Sequence, residues 1–337
     1  MNTTIQITDL DTIFSGTKET LEEMKKNFDQ DHYIKLPSFI EPNLLKFVQH
    51  QINQSEFYKK KYKIEDEDIT DCRLKNKSID SLLRFLINDQ KLFQLIQIIT
   101  GCSKVESFTG TVLRMTKDYG NCDLWHNDMA DNHMIAISIN LSTEVYGGGI
   151  FEMRDCNSGE VLHKIKNIGF GDGILFQVSP SLEHRVTNVE GLVNRTIFAG
   201  WFRSELSYIS SLRNRISQTK NKLSEPNTTI SKHSTFVAKK ELFSRIFNDQ
   251  VFIFNLDNAT CCELNPLANE ILNLLYKPTS RVEIQNEILN KFDVEQEQCK
   301  QDVSILLQEM LSADLITPFK NKDLINPSSL EISGVSK

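Results

Sequence analysis

The sequence lacks any run of about 18 apolar residues, the length at which a segment becomes a candidate membrane-spanning helix. The segment from Met1 to Ile5 has no basic region followed by an apolar one, so it predicts no signal peptide. The seven cysteines are odd in number and irregular in spacing. This usage favours reduced thiols in a cytoplasmic protein over a secreted disulfide framework.

Positive charge is also scarce, with 38 lysine and arginine residues against 45 aspartate and glutamate residues. The net charge of −7 argues against a general polyanion binder. No Gly-Lys-Ser follows Gly147-Gly148-Gly149, so this tri-glycine predicts a hairpin and not a phosphate loop. At 337 residues the chain exceeds the size at which single cores stop growing, so two domains are expected.

Three residues with metal-ligand chemistry stand between positions 124 and 202. His126 and Asp128 are two apart, so on one strand both side chains point to the same face. His184 follows after 55 intervening residues. Two imidazoles and one carboxylate on one face of a metal favour non-haem Fe(II) with open positions. A catalytic metal site at these three residues is therefore predicted, with zinc as the alternative metal.

Strand patterns surround the three residues. Residues 135–141 alternate between apolar and small or polar side chains, and Gly-rich turns at 147–149 and 169–173 precede further apolar runs. Residues 196–202 predict one more strand. Histidines at the rims of antiparallel strands suit a small barrel that holds its ligand in its mouth.

This stretch resembles the 2-oxoglutarate/Fe(II)-dependent dioxygenases of the prolyl-hydroxylase type. The resemblance rests on His126-x-Asp128, on His184, on the glycine turns and on Arg195, eleven residues after the distal histidine. It implies a double-stranded β-helix, or jelly roll, that uses Fe(II), 2-oxoglutarate and O2. It also implies that Arg195 binds the distal carboxylate of 2-oxoglutarate, a task suited to a guanidinium fork.

The family often places a tyrosine near 2-oxoglutarate on the strand that leads into the metal site, here residues 108–115. This chain has Arg114 and Met115 at the nearest place and Tyr119 four residues on. Arg114 and Tyr119 are therefore expected as further cofactor-binding residues. Related halogenases carry a small residue in place of Asp128, so its presence favours hydroxylation. Desaturation and ring closure remain open.

The rest of the first 235 residues frames this stretch. Residues 41–52 and 79–100 have helical periodicity, and Gly101 should end the second helix as a C-cap. The charged residues 59–77 are expected to form an exposed excursion, part of a substrate-facing lid. Residues 206–235 hold five basic residues and one acidic residue. They predict a helix and then a flexible linker, with a basic strip that attracts an acidic peptide as the alternative.

Residues 236–317 have an organisation of their own. Asn248-Asp249-Gln250 separates two apolar runs, which is a hairpin signal. Asn265-Pro266 caps a first helix, and the capping box from Ser280 to Glu283 opens a second helix. A third helix is predicted over 296–313. Three short strands followed by three helices predict a small winged helix-turn-helix-like unit.

This segment resembles the PqqD family, the leader-peptide recognition elements of ribosomal-peptide modification pathways. The resemblance is carried by residues 251–255, 263–272, 282–284 and 310–316. It implies that a leader peptide adds a strand to the sheet edge beside the third helix, held largely by main-chain hydrogen bonds. The strand expected to receive the leader consists of Thr260, Cys261, Cys262, Glu263 and Leu264.

A DNA-binding winged helix is the alternative for this segment. Residues 236–317 contain seven basic and thirteen acidic residues, a net charge of −6. A phosphate-contacting surface needs the opposite sign. The expected partner is therefore a precursor peptide, with neither nucleic acid nor a membrane involved.

The combined prediction is an α+β chain with four parts. Residues 1–205 form a jelly-roll oxygenase domain with flanking helices, 206–235 a linker, 236–317 a PqqD-like domain and 318–337 a polar tail. The expected activity is hydroxylation of a side chain in a ribosomally made precursor peptide. One alternative is a small-molecule oxygenase whose second domain serves assembly. The other is a non-enzymatic peptide-binding adaptor, against which the intact His126, Asp128, His184 and Arg195 argue.

Overall fold

The computed structural model describes residues 5–64, 67–119, 124–130, 132–166, 169–220, 231 and 234–319. The chain forms two compact units. The first comprises residues 1–215 together with the segments 243–249 and 256–259, and the second comprises the remaining residues. The predicted domain limits at 205, 235 and 317 stay predictions. Residues 221–230 of the predicted linker and nearly all of the predicted tail lie outside the described residues.

The described residues contain eight helices, none of them long and apolar enough to cross a membrane. Their bounds are α1 (Lys18–Asp31), α2 (Pro42–Asn53), α3 (Lys77–Ile87), α4 (Gln90–Thr100), α5 (Tyr208–Lys220), α6 (Pro266–Leu274), α7 (Arg281–Lys291) and α8 (Gln296–Ser312).

Strands account for most of the remaining regular structure. The strands up to residue 140 are β1 (Ile5–Ile7), β2 (Thr12–Phe14), β3 (Tyr33–Leu36), β4 (Phe57–Ile64), β5 (Glu67–Leu74), β6 (Ser107–Met115) and β7 (His133–Asn140). Those up to residue 203 are β8 (Gly147–Gly148), β9 (Phe151–Asp155), β10 (Val161–Ile165), β11 (Gly173–Gln177), β12 (Leu182–Val186), β13 (Val189–Glu190) and β14 (Arg195–Arg203). The remaining strands are β15 (Thr235–Ala238), β16 (Leu242–Phe247), β17 (Gln250–Asn255), β18 (Thr260–Leu264), β19 (Thr279–Ser280) and β20 (Ile316–Pro318).

Two antiparallel sheets build the centre of the first unit. The large sheet has the order β3-β11-β7-β14-β6-β5-β4, and the small sheet has the order β10-β9-β12. Strands β6, β7, β11 and β14 lie in the large sheet, and β9, β10 and β12 lie in the small sheet, so the chain crosses between the two sheets several times. Two antiparallel sheets connected in this way are consistent with the predicted jelly roll. Buried apolar side chains from both sheets form one core cluster, among them Ala136, Phe151, Ile174, Phe176 and Leu182.

The predicted helix over 79–100 is two helices, because Asn88 and Asp89 interrupt it. The Asp89 side chain accepts a hydrogen bond from the Leu92 backbone N–H at 2.8 Å and so begins α4. The buried Asn88 side chain accepts from the Phe108 N–H at 2.7 Å and donates to the Phe108 carbonyl at 2.9 Å. The break therefore places the Asn88 amide where it hydrogen-bonds both backbone groups of Phe108 in β6. Gly101 ends α4 with φ 66°, as predicted.

The prediction of an exposed excursion over 59–77 is wrong. These residues supply most of the hairpin of β4 and β5, which extends the large sheet. Ile69, Cys72 and Leu74 are buried on it. Four lysines among residues 59–63 concealed the strand character of β4.

The second unit contains the helix starts that the sequence predicts. The Asn265 side chain accepts from the Ala268 N–H and begins α6, and Ser280 and Glu283 form a reciprocal capping box before α7. Cys262 and Leu264, two residues apart on β18, both pack against the core of this unit. A sheet in the order β19-β15-β20 was not predicted, because its strands are too short for a periodic signal. The winged-helix description stays a prediction.

Replacing Asn88 tests the role of the helix break. We expect Asn88→Ala to lower the free energy of unfolding by about 2–3 kcal/mol, because it leaves buried backbone groups of β6 unsatisfied. Asn53→Ala, at the exposed end of α2, should change it by less than about 0.5 kcal/mol. Urea denaturation of both variants measures the difference, and equal midpoints would contradict the assignment.

Candidate metal centre and anion site

The structure brings His126, Asp128 and His184 together. Their candidate ligand atoms all lie within 4.8 Å of one another. The Asp128 carboxylate oxygens lie 3.7 Å from His126 Nε2 and 3.2 Å from His184 Nε2. The predicted triad is therefore a cluster from which one ion could be held.

The local backbone differs from the predicted single strand. His126 bridges His184 in antiparallel fashion, with N–H to carbonyl distances of 3.0 and 2.8 Å in the two directions. Asp128 has φ 55°, in the left-handed region that non-glycine residues rarely adopt. The two side chains thus converge through a bend after His126 and not through strand alternation.

Hydrogen bonds fix how two of the ligands face the cluster. His126 Nδ1 lies 2.9 Å from the Leu124 carbonyl, which assigns the proton to Nδ1 and leaves Nε2 as the metal-binding nitrogen. Trp201 Nε1 donates to Asp128 Oδ2 at 2.8 Å. The His133 ring stacks on Trp201 with centroids 4.7 Å apart and planes at 5°. The indole is therefore held in place where it orients the carboxylate.

The ionisation states at the cluster suit a cation. Burial lowers the pKa of His184, which favours its neutral form. Burial alone would raise the pKa of Asp128, but its interactions with His184, His126 and Trp201 lower that pKa to about 2. A neutral nitrogen donor and an ionised carboxylate are what a divalent ion requires.

A pair of arginines clamps the residue before His126. The guanidinium carbons of Arg154 and Arg185 lie 4.4 and 4.6 Å from the Trp125 ring centroid. Arg154 also pairs with Glu183 at 2.6 Å, and Arg185 pairs with Glu152 at 2.7 Å. Cation–π contacts of this kind stabilise the approach of the Trp125 segment to β9 and β12.

Arg195 is a buried charged residue of the first unit. It is only 1% exposed, yet none of the described carboxylates forms an ion pair with it. Its side chain contacts the Tyr146 hydroxyl at 3.2 Å, the Ser138 hydroxyl at 3.4 Å and the Met115 sulfur at 2.9 Å. Burying an uncompensated cation is costly. The predicted role of Arg195 in binding a carboxylate would supply such compensation, and it stays a prediction.

Gly149 gives this guanidinium its room. A Cβ atom at Gly149 would lie 2.8 Å from Arg195 Cδ and 3.0 Å from a ring carbon of Tyr146. Gly149 also has φ 58°. The last glycine of the tri-glycine is thus required both by the turn and by Arg195, a role that the sequence pattern did not reveal.

Arg114 and Tyr119 do not join Arg195. Arg114 follows the opposite face of β6 from Met115, the residue that Arg195 contacts. Arg114 donates to the Thr196 hydroxyl at 3.2 Å and lies 3.9 Å from the Phe57 ring centroid. Their predicted part in cofactor binding gains no support from this placement. The residues that do surround Arg195 or orient Asp128, namely Tyr146, Ser138 and Trp201, were missed because they are distant in sequence.

The family comparison concerns the second unit. Residues 250–316 match the model of the family described as coenzyme PQQ synthesis protein D, PqqD. The second unit contains a PqqD domain. The predicted resemblance is thus confirmed for that part of the chain. No curated protein matches the chain.

Solved structures resemble each part of the chain separately. A 2OG-Fe(II) oxygenase family oxidoreductase from Burkholderia pseudomallei is 14% identical, with 60% of this chain and 98% of that chain covered and a TM-score of 0.43. A prolyl hydroxylase from Trichoplax adhaerens is 14% identical over 56% of this chain and 94% of that chain, with a TM-score of 0.41. A lasso peptide synthetase B1, complexed with the leader peptide, is 16% identical over 25% of this chain and 98% of that chain, with a TM-score of 0.23.

The Trp201 hydrogen bond predicts a measurable effect on metal affinity. Trp201→Phe removes the donor to Asp128 but keeps a ring against His133. We expect it to weaken Fe(II) binding about 10- to 100-fold, the usual cost of losing a group that orients a ligand. Anaerobic Fe(II) titration measures it. Trp125→Phe, which keeps a ring between the two arginines, is the matched control, and equal losses in both variants would contradict a specific role for the indole.

Proposed function

We propose that this chain is an Fe(II)/2-oxoglutarate oxygenase that hydroxylates a side chain of a ribosomally made precursor peptide. The buried guanidinium of Arg195, with hydroxyl groups beside it and no described carboxylate paired to it, is the observation that carries the oxygenase part. A co-substrate with a distal carboxylate would complete that site. The PqqD match over residues 250–316 supports the peptide part.

The donor set fits Fe(II). Two neutral imidazoles and one carboxylate leave coordination positions open for other ligands. Bound iron would supply activation of O2, coupled to breakdown of 2-oxoglutarate, for insertion of oxygen into a C–H bond. Zinc at the same triad would leave Arg195 without a chemical task, which is why we favour iron.

The protein's own residues would have distinct tasks around that ion. Trp201 occupies Asp128 Oδ2 and so favours metal binding through the other carboxylate oxygen. Phe151 and Phe176 pack against the His184 ring, with centroids 5.7 and 4.7 Å away, and exclude water from that side. Arg195 would fix the far end of 2-oxoglutarate and thereby orient its near end towards the ion.

The PqqD domain would hold the leader while the core segment reaches the oxygenase site. A tether of this kind raises the local concentration of the core segment into the millimolar range for short linkers. The net charge of −6 over residues 236–317 disfavours nucleic acid as the alternative ligand.

Oxidation of a precursor peptide tests the whole proposal. With Fe(II), 2-oxoglutarate and O2, we expect mass spectrometry to detect the gain of one oxygen atom on a peptide that carries the leader, and much slower reaction without the leader. Asp128→Ala should abolish the reaction. Full activity in Asp128→Ala would remove the metal assignment, and equal rates without the leader would favour the small-molecule alternative.

Replacing Arg195 should selectively lower the affinity for 2-oxoglutarate. Arg195→Leu should weaken 2-oxoglutarate binding by about 2–5 kcal/mol, because a buried charge-assisted partner is lost. Metal content should remain near that of the unmodified protein. Arg203→Leu, at the other end of β14, is the matched control for calorimetric titration with 2-oxoglutarate. An effect of Arg203→Leu alone would mean that the wrong arginine is assigned.

If the leader adds a strand beside β18, proline and alanine at one position of β18 should differ in their effect on leader affinity. Strand β18 is the last in the order β16-β17-β18, and we propose that it receives the leader. Cys261→Pro should weaken leader binding more than Cys261→Ala, because proline removes a backbone donor. Titration of labelled leader into both full-length variants, with circular dichroism to establish folding, measures this. Equal affinities in two folded variants would place the leader elsewhere.

A further inference from the structure

A cavity with basic side chains lies on the face of β6 opposite to Met115. It has a volume of about 430 Å³, and its lining includes Phe57, Lys59, Cys72, Arg114 and Tyr119. It combines two basic side chains from different strands with a buried thiol and aromatic walls. The metal cluster and the Arg195 site do not use any of these residues.

Arg114 is half-buried in this cavity and only partly engaged. Its Nε donates to the Thr196 hydroxyl at 3.2 Å, and its guanidinium lies 3.9 Å from the Phe57 ring centroid. Within the described part of the chain, its two terminal nitrogens make no hydrogen bond and no ion pair. The flat Phe57 ring therefore holds a guanidinium fork whose outer donors are available to a ligand.

Lys59 adds a second positive charge at the same cavity. Its Nζ lies 3.8 Å from the Tyr119 ring centroid, and no described carboxylate pairs with it. Tyr119 is itself fixed, because its backbone N–H donates to the Thr116 hydroxyl at 3.1 Å. The acid that lines the cavity, Glu56, pairs with Lys75 at 2.7 Å. The cavity therefore has an excess of positive charge that no described partner neutralises.

The basic character continues along β4. Phe57, Lys59 and Lys61 occupy alternate positions and so share one face of the strand. The residues opposite the two lysines are Cys72 and Thr70, which are uncharged. An extended acidic polypeptide could follow this row, whereas a single small dicarboxylate would need only the cavity.

We propose that the cavity at Arg114 and Lys59 binds a carboxylate, and that this carboxylate is an acidic side chain of an extended peptide lying along β4. The assignment of that peptide as the substrate rests on the proposed function, but the affinity of the cavity for a carboxylate does not. A guanidinium fork and an ammonium group together match the geometry and charge of a carboxylate.

Binding of a blocked tri-glutamate peptide, acetylated and amidated at its ends, tests the proposal on the full chain. Calorimetry at low salt should detect saturable binding of this probe and none of the blocked tri-glutamine analogue. Lys59→Gln should weaken binding roughly threefold to tenfold, and Lys59→Gln with Arg114→Gln by more than about tenfold. Lys60→Gln, on the opposite face of β4, should bind as the unmodified protein does.

Three results would overturn the proposal: equal binding of tri-glutamine, unchanged affinity in Lys59→Gln, or an equal loss in Lys60→Gln. Titration of the same variants with 2-oxoglutarate in the presence of Fe(II) separates the two carboxylate sources. Unchanged 2-oxoglutarate affinity in Lys59→Gln supports a peptide side chain, and a loss assigns the cavity to the small dicarboxylate instead. Because the exposed Lys59 can be changed without disturbing the core, the test does not depend on the folding of the Arg114 variant. None of these binding titrations requires peptide oxidation. A failure of the proposed hydroxylation would therefore not be mistaken for a failure of carboxylate binding at the cavity.

Discussion

The constraint on which the first unit depends is the burial of the Arg195 guanidinium with no described carboxylate paired to it. Such a charge is costly unless polar groups compensate for its lost hydration. The residues around Arg195 supply polar groups and space for its side chain. Tyr146 and Ser138 supply hydroxyl groups, and Gly149 leaves the space that any side chain would fill. The distal carboxylate of 2-oxoglutarate is the partner that we propose for this guanidinium.

Strand β14 links Arg195 to the candidate metal cluster. Arg195 and Trp201 are six residues apart on the strand, so both face the interior of the jelly roll. Arg195 would bind the proposed co-substrate, and Trp201 orients Asp128 by a hydrogen bond of 2.8 Å. One strand thereby sets the relative positions of two chemical groups whose cooperation the proposed reaction requires.

Much of the fold and of the candidate site could be predicted from local sequence. The triad, Arg195, the capped helices after Asn265 and Ser280, and strands β6, β7 and β14 all have strong local signals. The failures have physical reasons. The left-handed backbone of Asp128 replaced the expected strand alternation, and the lysines of β4 concealed a hairpin. Tyr146 and Trp201 could not be identified, because strand register and loop packing bring them to the site from distant positions.

The placement of Arg114 illustrates a different limit. One step along a strand moves a side chain to the other face of the sheet. Arg114 therefore lies away from Arg195 although its neighbour Met115 contacts that residue. Along a strand, closeness in sequence to a predicted site residue therefore does not show that a side chain lies on the same face as that site.

The most direct test of the central claim is a crystal structure of the full chain grown without oxygen in the presence of Fe(II) and 2-oxoglutarate. The account predicts one metal ion bound by His126 Nε2, His184 Nε2 and one oxygen of Asp128, with the distal carboxylate of 2-oxoglutarate on Arg195. A metal bound at the triad while 2-oxoglutarate lies away from Arg195, or no metal at the triad under saturating Fe(II), would contradict it.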